Sequence, residues 1–159
     1  MERMEAAKWL KGITILIGVV GAVFFLVLMP MMAESCRQAY PAMAYLKWPG
    51  ICYGWGIGVI CYAVLFQFWK VCVQIGNDNS FSKENAKSFL VISRLTAVLA
   101  VIWFAGIVGL AFLKCLAPSV GIFLLLIVFI FIVLAVLAAA LSHLICKAYE
   151  LRRENELTI

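Results

Sequence analysis

Cysteine is the first candidate for chemistry in this sequence, which contains six thiols. Three lie near one predicted membrane face, one lies inside an apolar segment and two lie near the opposite face: Cys36, Cys52 and Cys115; Cys61; Cys72 and Cys146. No pair has the Cys-x-x-Cys spacing that four-helix membrane oxidoreductases need. A disulfide between two of the first three is one interpretation in an oxidising compartment. The other is that the thiols are small buried side chains.

Other groups that commonly carry catalysis are sparse. The single histidine, His143, cannot form a zinc site alone, and no cluster of acids accompanies it. The long apolar segments contain no Asp or Glu, so the carboxylate used in proton-coupled export is missing. Phosphate-binding loops and nucleophile elbows are absent as well. The sequence therefore predicts no catalytic residue, no cofactor, no metal site, and a protein that is not an enzyme.

The elements that hold these residues are set by composition. The chain has 159 residues, of which 66% are hydrophobic and 13% charged, and its mean hydropathy is +1.08. Soluble domains are only about 45–50% apolar, so a soluble enzyme, a nucleic-acid-binding domain and a disordered chain are excluded. A bilayer-spanning helix needs about 20 apolar residues. Four stretches of suitable length predict an all-α integral membrane protein, a four-transmembrane-helix bundle in one domain: residues 12–33, 48–70, 94–113 and 119–146.

Orientation follows from the distribution of Lys and Arg. Ten of the 13 lie in the N-terminus, in the loop 71–93 together with Lys70 and Arg94 at its two edges, and in the tail 147–159. The other three are Arg37, Lys47 and Lys114. Cytoplasmic segments carry the excess of basic residues, so both termini are predicted to be cytoplasmic. The first stretch exceeds the usual length of a signal-peptide core, so we expect it to be retained.

Small residues at helical spacing predict where helices pack. Glycine and alanine let helix backbones approach closely in lipid. Three sets carry this pattern, in the second, third and fourth spans: Gly50, Gly54 and Gly58; Ala105 and Gly109; Ala135 and Ala139. They fit packing within one bundle, a dimer seam or the lining of a pore.

Three polar side chains lie inside or at the edge of apolar runs. Arg94 follows the apolar residues 89–92, and Gln67 and His143 lie at similar depth on other helices. An ionisable group within a span is a functional hypothesis by default. The alternative is that Arg94 extends to the cytoplasmic lipid phosphates.

The loop between the second and third spans has clear helix signals. Gly76 is predicted to cap the second helix in a left-handed conformation. Ser82 is a good N-cap for a third helix that begins near Lys83, with Glu84 in its first turn. The tail after Lys147 continues with helical charge spacing.

Residues Phe81, Ser82, Glu84, Asn85 and Ala86 resemble the signature of a four-span bacterial membrane family of unknown function. The resemblance covers nearly the whole chain. It implies location in the bacterial cell membrane and a neighbouring gene for a small Cro-like helix-turn-helix regulator. It brings no catalytic residues.

Two hypotheses of function follow. The first is a regulatory or scaffold protein that binds a small cytoplasmic protein, such as a helix-turn-helix regulator, without contacting nucleic acid itself. The candidate binding residues lie in the middle loop and the tail: Phe81, Ser82, Lys83, Glu84, Asn85, Lys87, Arg152 and Arg153. The second hypothesis is a small oligomeric transporter, channel or immunity-type protein.

Overall fold

The computed structural model describes residues 2–77, 80–114, 116 and 118–157, with residues 2–4, 6, 156 and 157 described by backbone alone. The helices are α1 (Glu2–Val23), a π-helical segment (Phe24–Leu28), α2 (Met29–Ala39), a 3-10 segment (Pro41–Leu46), α3 (Lys47–Gly76), α4 (Lys83–Phe112) and α5 (Pro118–Leu157). These residues contain no strand. Four stretches are long and apolar enough to span a membrane: Ala7–Ala39, Pro41–Gly76, Lys83–Phe112 and Pro118–Asn155. The all-helical class with four spans is confirmed, and the orientation stays a prediction.

The helices pack in chain order, as an open row. The segment α1–α2 contacts α3, α3 contacts α4, and α4 contacts α5. Among the described residues, α5 makes no backbone contact with α1, α2 or α3. The row therefore has two edges, α1–α2 and α5, each with one helical neighbour.

Hydrogen bonds from side chains to backbone carbonyls join the row. Tyr62 donates to Gly18 (2.6 Å) between α1 and α3, and Tyr53 donates to Ile102 between α3 and α4. Two serines do the same between α4 and α5: Ser93 to Ala135 (2.8 Å) and Ser142 to Ala86 (2.6 Å). A helical carbonyl has a second lone pair for such a donor, and polar contacts of this kind hold helices together in lipid.

The π-helical segment is explained by its neighbours. The amide of Met29 donates to the Phe24 carbonyl, five residues back, and the next residue, Pro30, has no N–H to give to Phe25. The indole N–H of Trp55 on α3 donates to the Phe25 carbonyl instead, at 3.1 Å. This hydrogen bond links the π-helical segment of the first span to α3 in the second span.

The predicted packing glycines have different surroundings. A Cβ on Gly54 would lie 1.7 Å from the Met29 methyl carbon, and one on Gly58 would lie 3.2 Å from the Phe25 ring. These two glycines receive side chains from the first span. Gly50 and Gly109 have no such neighbour within 4 Å, and Ala105 and Ala139 are exposed. Ala135 is buried against α4.

Two helix ends differ from the expected pattern. The prediction of a left-handed Gly76 is wrong, because the described residues contain no glycine with positive φ and α3 runs through Gly76 to a cap at Asn77. The helical Gly76 packs beside α1, where its Cβ would lie 3.5 Å from that of Ala7. Among the described residues only Lys114 has positive φ (55°), and its amide donates to the Ala111 carbonyl beyond the end of α4.

The last helix projects beyond its partner. The Ser93–Ala135 and Ser142–Ala86 hydrogen bonds fix an antiparallel register in which Lys83, the first residue of α4, lies level with residue 145. Residues 146–157 therefore extend past α4 by about 18 Å at 1.5 Å per residue.

Candidate functional site

The inner end of the molecule, which carries the connection after α3 and the C-terminus of α5, contains the predicted binding residues. Ser82 caps α4 by accepting a hydrogen bond from the Asn85 amide (3.2 Å). The side-chain amide of Asn85 donates to the Ser80 carbonyl (3.0 Å), and Asn85 is 1% exposed. Of the candidate set, Ser82 and Asn85 thus lie inside the turn that starts α4, where a partner would not reach them.

The remaining candidates lie on the surface. Phe81 is 59% exposed, although it is a large apolar side chain next to a buried cap. Lys83, Glu84 and Lys87 are exposed on the first two turns of α4. Arg152 and Arg153 are exposed on the part of α5 that projects past α4. The structure therefore divides the candidates into a structural pair and two exposed groups.

A groove of about 390 Å³, lined mainly by polar and charged residues, runs between α3 and α4 at this end. We call it the inner groove, and its lining residues are Gln67, Lys70, Gln74, Glu84, Lys87, Ser88 and Val91. The groove brings together Gln67, predicted from its depth in the second span, and two loop candidates, Glu84 and Lys87. Lys70 also lies over the Phe66 ring, at 4.8 Å from the ring centre.

The other intramembrane candidates stand apart from this groove. Arg94 on α4 and His143 on α5 are both exposed. Neither makes a hydrogen bond or ion pair with another residue that the structure describes. The lining of the inner groove includes neither side chain.

A second, larger cavity lies at the opposite end and was missed by the sequence analysis. This outer cavity has a volume of about 710 Å³. It is lined by residues of α2, the 3-10 segment, α3, the end of α4, the start of α5 and the connections between them: Ala33, Cys36, Arg37, Tyr40, Met43, Leu46, Lys47, Gly50, Leu110, Lys114, Leu116 and Val120. No spacing in the sequence could reveal it, because the lining comes from segments that are far apart in the sequence.

Two of the basic residues at the outer cavity are bound to one carboxylate. Arg37 Nε donates to Glu34 Oε1 (3.0 Å), and Lys47 Nζ donates to Glu34 Oε2 (2.5 Å). Glu34 lies beyond the first predicted span, residues 12–33. The hydrogen bonds from Arg37 and then Lys47 lower the pKa of Glu34 from 4.5 to about 2.

The thiols are separate from one another. Cys36, Cys52, Cys61, Cys72 and Cys146 are free, and the predicted disulfide partner Cys115 lies outside the described residues. Cys72 is fully buried, 3.9 Å from the Thr14 hydroxyl. The part of the chain that the structure describes has no group of three His, Cys, Asp or Glu side chains able to hold a metal ion.

Comparison with known proteins agrees with this architecture. Residues 31–159 match the family described as "Protein of unknown function (DUF2975)". The chain belongs to this family. It is also 27% identical, over the full length of both chains, to the "Uncharacterized membrane protein YoaS" of Bacillus subtilis (strain 168). No solved structure matches the chain significantly.

Family membership confirms the resemblance seen at residues 81–86. The matched region contains all of α3, α4 and α5, and therefore the whole inner groove. Neither description names an activity, so the site must be interpreted from its geometry.

Proposed function

We propose that this protein is a non-enzymatic component of the bacterial cytoplasmic membrane whose inner end binds a small cytoplasmic protein. The observation that carries the proposal is the form of this end, where Phe81 is exposed just before the start of α4 and α5 projects about 18 Å past α4. A helix of that length supplies about three turns of surface outside the bilayer.

The chemistry of the inner end suits a protein partner. Aromatic and arginine side chains contribute most to protein–protein contacts, and Phe81, Arg152 and Arg153 are exposed there. Glu84 and Lys87 offer both signs of charge beside them, which favours orientation and specificity. A small helix-turn-helix regulator is the partner that the family resemblance implies. In that case the membrane protein would hold the regulator and would not touch nucleic acid itself.

Affinity purification of the tagged full-length protein from its own bacterium tests this proposal. We expect one small cytoplasmic protein to copurify with the wild type and to be lost with Phe81→Ala or with deletion of residues 151–159. Phe129→Ala is the matched control, because Phe129 is equally exposed but lies in the middle of the apolar part of α5. Equal recovery of the same proteins with all variants would refute the proposal.

A second function, as a subunit of an oligomeric transporter, channel or immunity protein, is favoured by the open row. Its edges α1–α2 and α5 each have one helical neighbour in the described structure, and Gly109 on α4 is exposed with no side chain within 4 Å of the position of a Cβ. A second copy could pack on such faces. The mass of the purified protein in nanodiscs separates the two functions, since this alternative requires more than one chain per disc.

A further inference from the structure

The three basic side chains at the outer end converge on one cavity. The positive-inside pattern leaves only Arg37, Lys47 and Lys114 at this end, out of 13 Lys and Arg in the chain. All three line the outer cavity, although they come from α2, α3 and the turn after α4. Basic residues are scarce here, so their common position calls for an explanation.

The charges in this region do not cancel. Glu34 accepts hydrogen bonds from both Arg37 and Lys47, which brings these two cations together. One carboxylate balances only one of the three positive charges. The mouth of the cavity therefore keeps an excess of positive charge, which attracts an anion.

The rest of the lining is apolar. Met43 and Leu46 from the 3-10 segment line the cavity together with Leu110 and Leu116. A volume of about 710 Å³ lies within the range of pockets that hold small organic ligands. An inorganic anion would use the basic residues and leave these walls uncovered.

Lys114 is held at the cavity by an unfavourable backbone. Its φ of 55° lies in the left-handed region, which glycine adopts more readily than lysine. Left-handed residues other than glycine occur often at ligand-binding sites. Lys114 thus places a positive charge at the cavity, although a glycine would adopt this backbone conformation after α4 more easily.

We propose that the outer cavity binds an anionic phospholipid. The phosphate lies among Arg37, Lys47 and Lys114, and one acyl chain lies against the apolar walls. Clusters of basic side chains attract the negative charge of lipid head groups. This inference is independent of the partner proposed for the inner end.

Binding of dioctanoyl phosphatidylglycerol to the purified full-length protein, in a phospholipid-free non-ionic detergent, tests the inference. The zwitterionic dioctanoyl phosphatidylcholine has the same tails and is the matched ligand. We expect phosphatidylglycerol to bind about tenfold more tightly, because the choline cation of phosphatidylcholine cancels the charge of its phosphate and is repelled by the three basic side chains. Equal affinities for the two lipids would overturn the proposal.

Substitutions at Lys114 separate charge from folding. Lys114→Gly removes the charge and suits the left-handed backbone, so we expect an intact fold and about tenfold weaker binding of phosphatidylglycerol. Lys114→Arg should retain the affinity. Lys8→Gln, at an exposed lysine of the inner end, is the control and should also retain it. A Lys8→Gln loss as large as that of Lys114→Gly would overturn the proposal.

Inorganic phosphate distinguishes a lipid site from a simple anion site. At 10 mM, on the order of a hundredfold above a lipid dissociation constant of about 100 μM, phosphate should displace little lipid if the acyl chain contributes to binding. Complete displacement by phosphate would contradict a lipid occupant.

Discussion

At the scale of single residues, the contacts between spans depend on donors that the sequence does not distinguish from other aromatic side chains. Trp55 and Trp9 are both exposed tryptophans in apolar surroundings. Of the two, only Trp55 donates a hydrogen bond within the part of the chain that the structure describes, to the Phe25 carbonyl in the π-helical segment. The sequence could predict that a tryptophan lies at the membrane interface or packs between helices. It could not predict this hydrogen bond, because the Phe25 carbonyl is left free by Pro30, which has no N–H to donate.

Trp55→Phe should therefore destabilise the protein by about 1 kcal/mol, because the Phe25 carbonyl loses its indole donor while most of the aromatic surface remains. Trp9→Phe is the control and should change stability little, since Trp9 is 74% exposed. Thermal unfolding of the two variants in the same detergent measures the difference. Equal shifts in Tm would show that the hydrogen bond contributes nothing.

The Glu34 cluster gives a prediction about pH. The pKa of Glu34 is lowered to about 2 by Arg37 and Lys47. A carboxyl with a lowered folded-state pKa stabilises the folded protein above its ordinary pKa, and this contribution is lost as pH falls from about 4.5 towards 2. The Tm difference between wild type and Glu34→Gln should thus be constant from pH 5 to 8 and shrink below about pH 4. A difference that varies between pH 6 and 8 would contradict this assignment.

At the scale of elements, the start of α4 and the position of the end of α3 were predictable, and the backbone conformation of Gly76 at that end was not. Ser82 and Glu84 carry a local capping signal, and α4 begins at Lys83 with Ser82 as its cap. Gly76 carries an equally local signal for a left-handed end, but Ala7 of α1 packs against it and the helix continues. A contact between distant segments overrides local preference there.

Ser82→Ala should destabilise the protein by about 1 kcal/mol, because the Asn85 amide at the start of α4 loses its acceptor. Ser80→Ala is the matched control: the Asn85 side chain uses the Ser80 carbonyl, which this substitution leaves in place. Tm measurements distinguish the two variants. A Ser80→Ala effect as large as that of Ser82→Ala would place the stabilising contact elsewhere in the turn.

At the scale of the whole molecule, four spans could be counted from apolar length, whereas their arrangement could not be derived. Lipid covers every outward face, so hydrophobic periodicity does not mark which side of a helix has a protein neighbour. Small-residue spacing identified Gly54 and Gly58, which receive side chains from the first span, but it equally selected the open Gly50 and Gly109. The outer cavity depends on this arrangement and was invisible for the same reason.

Orientation is testable with the thiols. Single-cysteine variants that retain Cys36 or Cys146 place a reactive group at opposite ends of the row. If both termini are cytoplasmic, a membrane-impermeant maleimide should label Cys36 in intact cells and Cys146 only after permeabilisation. The reverse labelling pattern would show that both termini and the inner groove lie outside the cytoplasm.

Photo-crosslinking in living cells from position 81 tests the central claim most directly. A photoreactive phenylalanine analogue replaces Phe81 in one strain and Phe129 in a matched strain, so that both probes substitute exposed aromatic residues. The proposed function predicts an adduct with one small cytoplasmic protein from position 81, none from position 129, and loss of the adduct when residues 151–159 are deleted. Adducts at position 81 that contain only lipid or a second copy of this chain would contradict it.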